Sequence, residues 1–262
     1  MRRCPGNCPA HRLALPSKNV IQREKLRLRE SGEFSNYRFF ENVEEGIILE
    51  DDCLPHPDFF RFCVEMLERY RQNNKIMHIS GDNFQFWKKY GSSSYYFSQI
   101  AHIWGWATWR RAWKYYNFKL PDFTSSRHFF GGNRFVNENF KKFYMGVCNG
   151  SIDTWDCQWT YSILCNNGLT IIPNSNLVSN IGFGGGATHT KDENSVNSCI
   201  ITDALNFPLK HPKVVKLNKS ADLRFNKKEY NYRSMANRAW GKLKSIVHFL
   251  QKKGICQFRD SR

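Results

Sequence analysis

The stretch GIILEDDCLPHPDFF, Gly46 to Phe60, decides the fold. Gly46-Ile47-Ile48-Leu49 is a compact apolar run bounded by glycine and by acids, the pattern of a buried strand. Pro57 suits the first position of a helix, and Asp58 favours its positive end. Phe59, Phe60, Cys63, Met66, Leu67 and Tyr70 then recur at helical spacing and give that helix one apolar face. Glu50-Asp51-Asp52 therefore falls in the turn where a buried strand ends, which is where open α/β sheets place ligand sites.

Working outward, residues 34–43 suit a short aromatic helix, and Ile76–Ser80 reads as a second short strand. The order helix, strand, helix, strand is α/β logic and predicts a mixed, mainly parallel sheet flanked by helices. Tyr95-Tyr96-Phe97 reads as another strand. A helix over 106–116 would put Trp106, Trp109 and Trp113 on one face, and a second over 155–166 would align Trp155, Trp159 and Ile163 before Gly168 stops it. Leu169 to Ile172 is a strand ended by Pro173, and Gly182, Gly184, Gly185 and Gly186 make a flexible loop. Near the end, Tyr232 to Gln251 reads as a basic amphipathic helix, with Ala239, Trp240, Leu243, Ile246, Val247 and Leu250 on its apolar side. Residues 1–32 are basic, carry three prolines and keep no sustained period. No internal repeat is present.

With 262 residues, 41% of them hydrophobic and 15% aromatic, the chain can bury a sizeable core. No run of about 20 apolar residues would span a bilayer, and the basic N-terminus lacks the apolar stretch of a secretory signal. The formal charge of +16 calls for a negatively charged partner: nucleic acid, anionic lipid or a nucleotide diphosphate. Nucleic acid is the weakest of these, because no zinc-finger spacing, RNP-like pattern or basic zipper accompanies the charge. The nine cysteines include no C-x-x-C pair and read as reduced thiols of a cytoplasmic protein. Cys63, Cys157 and Cys165 are expected as small buried hydrophobes within helices.

The acidic turn is where chemistry is expected. Three consecutive acids are costly unless a cation or hydrogen-bond donors offset them. A divalent ion needs hard oxygen ligands from a short turn, and often only one or two protein carboxylates, because phosphate oxygens and water complete its shell. Such an ion neutralises a diphosphate as it leaves. The plain alternative is a solvated turn capping the Pro57 helix.

Leu49-Glu-Asp-Asp52 followed by Pro57-Asp-Phe-Phe60 resembles the metal-binding strand-turn-helix of the N-acetylglucosaminyltransferase I group, and nearer still its haemolysin-like and family-2-like bacterial nucleotide-diphospho-sugar transferases. Ile79-Ser-Gly-Asp-Asn83, Gly105-Trp106 through Trp113, Trp155-Asp156 through Trp159, and Phe183 to His189 are similar to further segments of that group, in its order. The likeness covers about residues 34–215. It implies a GT-A fold and a metal-dependent, inverting transfer of a sugar from a nucleotide-diphosphate donor to a glycan acceptor, in the manner of surface polysaccharide synthesis. A uridine diphosphate sugar is the first expectation for the donor, and Mn2+ or Mg2+ for the metal.

By that resemblance Asp52 is the metal ligand, and Glu50 and Asp51 bond the donor sugar, the ribose or a metal-bound water. Asp156 matches the catalytic base, with Asp153 as a rival that spacing alone does not separate. His189 lies where the Gly-rich loop closes over the donor. Asp82 and Asn83 are candidates for donor or acceptor hydroxyls, although Asx residues also simply make turns. Trp106, with Trp104 and Trp109, could stack on a sugar or serve as core. The family carries two or three base-gripping βα units before the metal turn. Only 49 residues precede Glu50 here, so the first units are expected to be lacking. Three parts follow: a basic segment over 1–32, the transferase-like domain over 33–215, and a basic extension over 216–262. That extension's helix either suits an anionic membrane surface and a lipid-linked acceptor, with the protein peripheral on the inner face, or packs its apolar stripe on the catalytic domain as a closing helix. Two other functions compete: a non-catalytic sugar- or membrane-binding remnant of such an enzyme, and a metal-dependent phosphotransferase.

Overall fold

The computed structural model describes residues 21–22, 38–118, 134–152, 154–183 and 197–229. The elements in order are β1 (Ile21–Gln22), α1 (38–42), β2 (Glu45–Ile48), β3 (Cys53–Pro55), α2 (Pro57–Tyr70), β4 (Ile76–Ser80), β5 (Tyr95–Ser98), β6 (Trp106–Trp109), α3 (Arg110–Trp113), α4 (Arg134–Cys148), α5 (Asp156–Cys165), β7 (Leu169–Pro173), β8 (Val178–Asn180) and α6 (Lys219–Glu229). Six strands form one sheet in the order β1-β2-β6-β4-β7-β5, and β3 pairs with β8 in a separate ribbon.

The fold is mixed α/β, but the expected mainly parallel sheet is corrected to a mostly antiparallel one. β1 runs parallel to β2 and β4 parallel to β7, whereas β2/β6, β4/β6, β5/β7 and β3/β8 are antiparallel. The cause is β6. The unit β2-α2-β4 has the parallel logic read from the sequence, yet its two strands are not neighbours. β6 enters between them in the opposite direction, with Ala107 level with both Ile47 and Ile79.

The expected helix over 106–116 is likewise overturned: 106–109 is strand, and only Arg110–Trp113 is helical. Side chains alternate across a strand, so Trp106 and Trp109 face opposite ways. Trp109 and Ala107 join Ile47, Ile79, Phe59, Phe62 and Met66 in the core beneath α2. Trp106 joins Phe40, Trp113, Trp155 and Trp159 in the core on the other face. The Trp109 indole N–H donates to the Leu67 carbonyl at 3.2 Å, tying β6 to α2.

The other elements read from the sequence fall near their expected places, whereas β3, α4, β8 and α6 have no counterpart in that reading. Helix α2 begins at Pro57 behind His56, whose Nδ1 accepts the Asp58 N–H at 3.2 Å. Its apolar face buries Phe59, Cys63, Met66 and Leu67, as read from the sequence. Cys63 and Cys157 are buried in their helices, but Cys165 is exposed at the end of α5. The start of the expected C-terminal extension packs on the sheet: α6 lays Ala221 against Tyr96 and Ile172, and the Asp222 carboxylate accepts from Ser98 Oγ at 2.6 Å and Gln99 N at 3.0 Å. The expected 232–251 helix lies outside the described residues. Among those described, no helix is long and apolar enough to cross a membrane.

Candidate active site

The register of β2, β6 and β4 pairs Ile48 and Ser80 with the same residue, Trp106. One step further along, Leu49, Gly81 and Gly105 share an edge of the sheet, and Glu50, Asp82 and Trp104 lie just beyond it. This edge is the carboxyl end of β2 and β4. Only glycine serves at 105, where φ is +118° and a Cβ would meet Val178 Cγ2 at 2.8 Å and Leu49 Cδ2 at 3.0 Å.

Asp51 and Asp52 occupy the centre of a turn closed by the Cys53 N–H donating to the Glu50 carbonyl at 3.1 Å. The chain leaves the turn as β3, which is held by β8, and the Ile181 N–H donates to the Asp52 carbonyl at 2.9 Å. Gly182 then passes directly over Asp52, so close that a Cβ there would collide with Asp52 Oδ2.

Carboxyl groups from three separate segments converge here. The Glu50 carboxyl is pushed up to about 8, first by removal from water and then by the negative charge of Asp52, Asp156, Asp51 and Asp82. Asp82 is wholly buried, and neither of its carboxylate oxygens has a hydrogen-bond partner among the described residues. Burial pushes its carboxyl up to about 8, more than the nearby N–H groups of Asp82 and Trp104 lower it. Asp156 begins α5. Its Oδ1 accepts from the Thr154 hydroxyl and from the Cys157 N–H, which leaves Oδ2 for another partner.

Glu50, Asp52 and Cys53 offer ligand atoms within 4.8 Å of one another. Burial, then the charge of Glu50, Asp52 and Asp82, pushes the Cys53 thiol far up, so it stays protonated and donates toward Asp52 Oδ1 at 3.7 Å. A thiol is a poor ligand for a hard cation. The carboxylate oxygens are good ones, and an orphaned buried carboxyl gains most from a cation. Of the grouped residues, the Glu50 and Asp52 carboxylates are oxygen donors of the kind a hard divalent cation takes.

The structure thus brings Glu50, Asp51, Asp52, Asp82 and Asp156 together. It treats the other predicted residues differently. Asn83 adjoins the cluster, but its side chain is committed to the fold: Nδ2 donates to the Pro173 carbonyl at 2.5 Å and Oδ1 accepts the Gln85 N–H at 2.7 Å. Trp106 is fully buried, 5.1 Å from the His78 ring in a stacked pair, and offers no face to a sugar. Trp104 is only partly buried and meets Phe183 edge to face at 5.7 Å, beside Gly182. His189 and Asp153 lie outside the described residues. Sequence reasoning missed Cys53, Thr154 and the tight approach of Gly182. The first two were signalled by their places beside Asp52 and Asp156, whereas nothing in the sequence shows which residue Gly182 would cover. A scan of protein-family models gives no match to this chain, and no curated protein matches it at a significant level.

Proposed function

We propose that this chain is a metal-dependent, inverting glycosyltransferase of GT-A type, taking its sugar from a nucleotide-diphosphate donor. One observation carries the reading: the carboxyls of Asp82 and Asp156, distant in sequence, lie near enough to the Glu50-Asp51-Asp52 turn to help push Glu50 up. The buried Asp82 carboxyl, whose oxygens make no hydrogen bond that meets ordinary geometry among the described residues, adds to it.

A bound Mn2+ or Mg2+ would supply positive charge to the diphosphate as it departs. Asp52 is the ligand in this scheme, with Glu50 and Asp51 at the donor sugar, the ribose or a bound water. Asp156 Oδ2 accepts the proton of an acceptor hydroxyl as that oxygen bonds to the anomeric carbon. The bond from that carbon to the diphosphate breaks on the opposite face, and the electron pair leaves with the nucleotide. The Thr154 and Cys157 donors on Oδ1 fix the rotamer of Asp156, so Oδ2 is presented in one orientation. The acceptor is a glycan, free or lipid-linked.

The test is calorimetric titration of Mn2+ and a panel of nucleotide sugars, followed by turnover measurements. Asp52→Asn is expected to abolish metal-dependent donor binding. Asp156→Asn is expected to keep that binding and lose roughly 10²- to 10⁴-fold in turnover, since a base acts in the transition state. Donor binding that ignores both chelator and Asp52→Asn overturns the reading.

A further inference from the structure

Beside the carboxylates, the 84–89 turn and the 197–203 segment enclose a cavity of about 240 Å3. Trp87 stands at its mouth with 70% of its surface exposed. Its backbone is held at φ +68°, and that of the preceding Phe86 at +49°. Two consecutive bulky residues in the left-handed region are unfavourable, and such backbone persists only where its surroundings impose it. Here they do. Gln85 donates its N–H to Asn83 Oδ1 at 2.7 Å and its side-chain amide to the Ala221 carbonyl at 3.0 Å, while Lys228 Nζ caps the Phe86 ring at 2.9 Å. Phe86 is tied down, and the indole of Trp87 is left presented to solvent.

The opposite wall is equally fixed. Asn176 accepts the Asn83 N–H at 2.8 Å and donates to the carbonyls of Val178 at 2.9 Å and of Ile200 and Ile201 at 3.3 Å. Its amide is spent on structure, so the cavity is preformed. The Ser175 hydroxyl, Lys89 and Asp203 supply polar groups around it. Lys89 and Asp203 cancel in charge, which disfavours a phosphate and suits a neutral polyol. Pockets for drug-sized ligands measure roughly 300–1,000 Å3, so this smaller space suits a single ring.

We infer that this cavity is a saccharide subsite in which the Trp87 indole carries the apolar face of one sugar ring. The assignment of that ring to the acceptor glycan rests on the transferase reading, and on Asn83 of the wall directly following Asp82 of the carboxylate cluster. The binding itself does not.

The test is an array of immobilised mono- to tetrasaccharides, probed with the full chain without metal or donor, then calorimetry with the saccharide retained. Trp87→Ala is expected to raise Kd about tenfold, and Asp52→Asn to leave it unchanged. Trp87→Gly removes the indole and suits the left-handed backbone, so it should lose binding while its Tm does not fall. No saccharide retained, a Kd unchanged in Trp87→Ala, binding lost in Asp52→Asn, or a Tm lowered by Trp87→Gly overturns the subsite. Loss of transfer in Asp52→Asn with array binding intact separates this inference from the transferase reading.

Discussion

At Gly182 a single methyl group would collide with the acidic turn. A Cβ would overlap Asp52 Oδ2 and lie 2.8 Å from its Cβ, so either the loop or the carboxylate must move. Asp52 is the more movable of the two, because the Gly182 N–H is anchored on Asn180 Oδ1 at 2.7 Å. On the proposed metal-site reading, Gly182→Ala is therefore expected to weaken Mn2+ binding roughly 10- to 100-fold, the usual cost of disturbing a ligand's support, with little change in Tm. Equal affinity in calorimetry would show that the turn tolerates the methyl. The sequence shows Gly182 as the start of a glycine-rich loop, and loop glycines are read as freedom. Here the glycine is needed for closeness. Which residue it would touch depends on β8 pairing with β3, a long-range fact that local pattern does not hold.

Among the elements, β2, α2, β4 and β7 were legible because each has one pattern that fits: short apolar runs ended by turn residues, and a helix with a single apolar face. β6 was not. Trp106-Ala-Thr-Trp109 has two tryptophans three apart, which suits one face of a helix as well as opposite faces of a strand. What settles it is the gap between β2 and β4, which needs a strand with small Ala107 facing α2 and a large ring at each end. Of the two roles open to Trp106, sugar stacking and core, its burial in β6 leaves the core. The site shows a similar division. The acidic turn could be read from the strand it terminates, while the meeting of Asp82 and Asp156 with it required the three-dimensional sheet edge. The link between β6 and α2 is testable. Trp109→Phe keeps one aromatic ring, opens a small space in the core and leaves the Leu67 carbonyl without its indole donor. Denaturant unfolding should show a loss of about 1–2 kcal/mol, with Mn2+ binding unaltered.

For the whole molecule, buried titratable groups set how stability follows pH. His78 Nδ1 accepts the Trp159 indole N–H at 3.0 Å, so its Nε2 carries the proton and donates to the His102 carbonyl at 2.8 Å. Burial lowers both His78 and His102 from 6.5 to about 3. Their neutral forms stabilise the fold fully above about 6.5, and this contribution is lost as pH falls toward 3. The carboxyls run the other way. Asp222 is raised by burial to about 6, and Asp82 to about 8, so their contribution is full below 3.8 and is lost as pH rises through those values. Urea midpoints measured across this range should fall on the acid side, and His78→Gln should flatten that limb. Asp82→Asn should flatten the alkaline one. An acid limb unchanged in His78→Gln would place the sensitivity elsewhere. The interposed strand has one more consequence, in the order of synthesis. A ribosome releases β2, α2 and β4 well before the residues that join them. Until 106–109 emerges, both strands present raw hydrogen-bonding edges with nothing to pair, and such edges invite association between chains. Synthesis of β6 closes one edge of β4, and the other stays open until β7 is made, so a nascent chain needs cover across that whole interval.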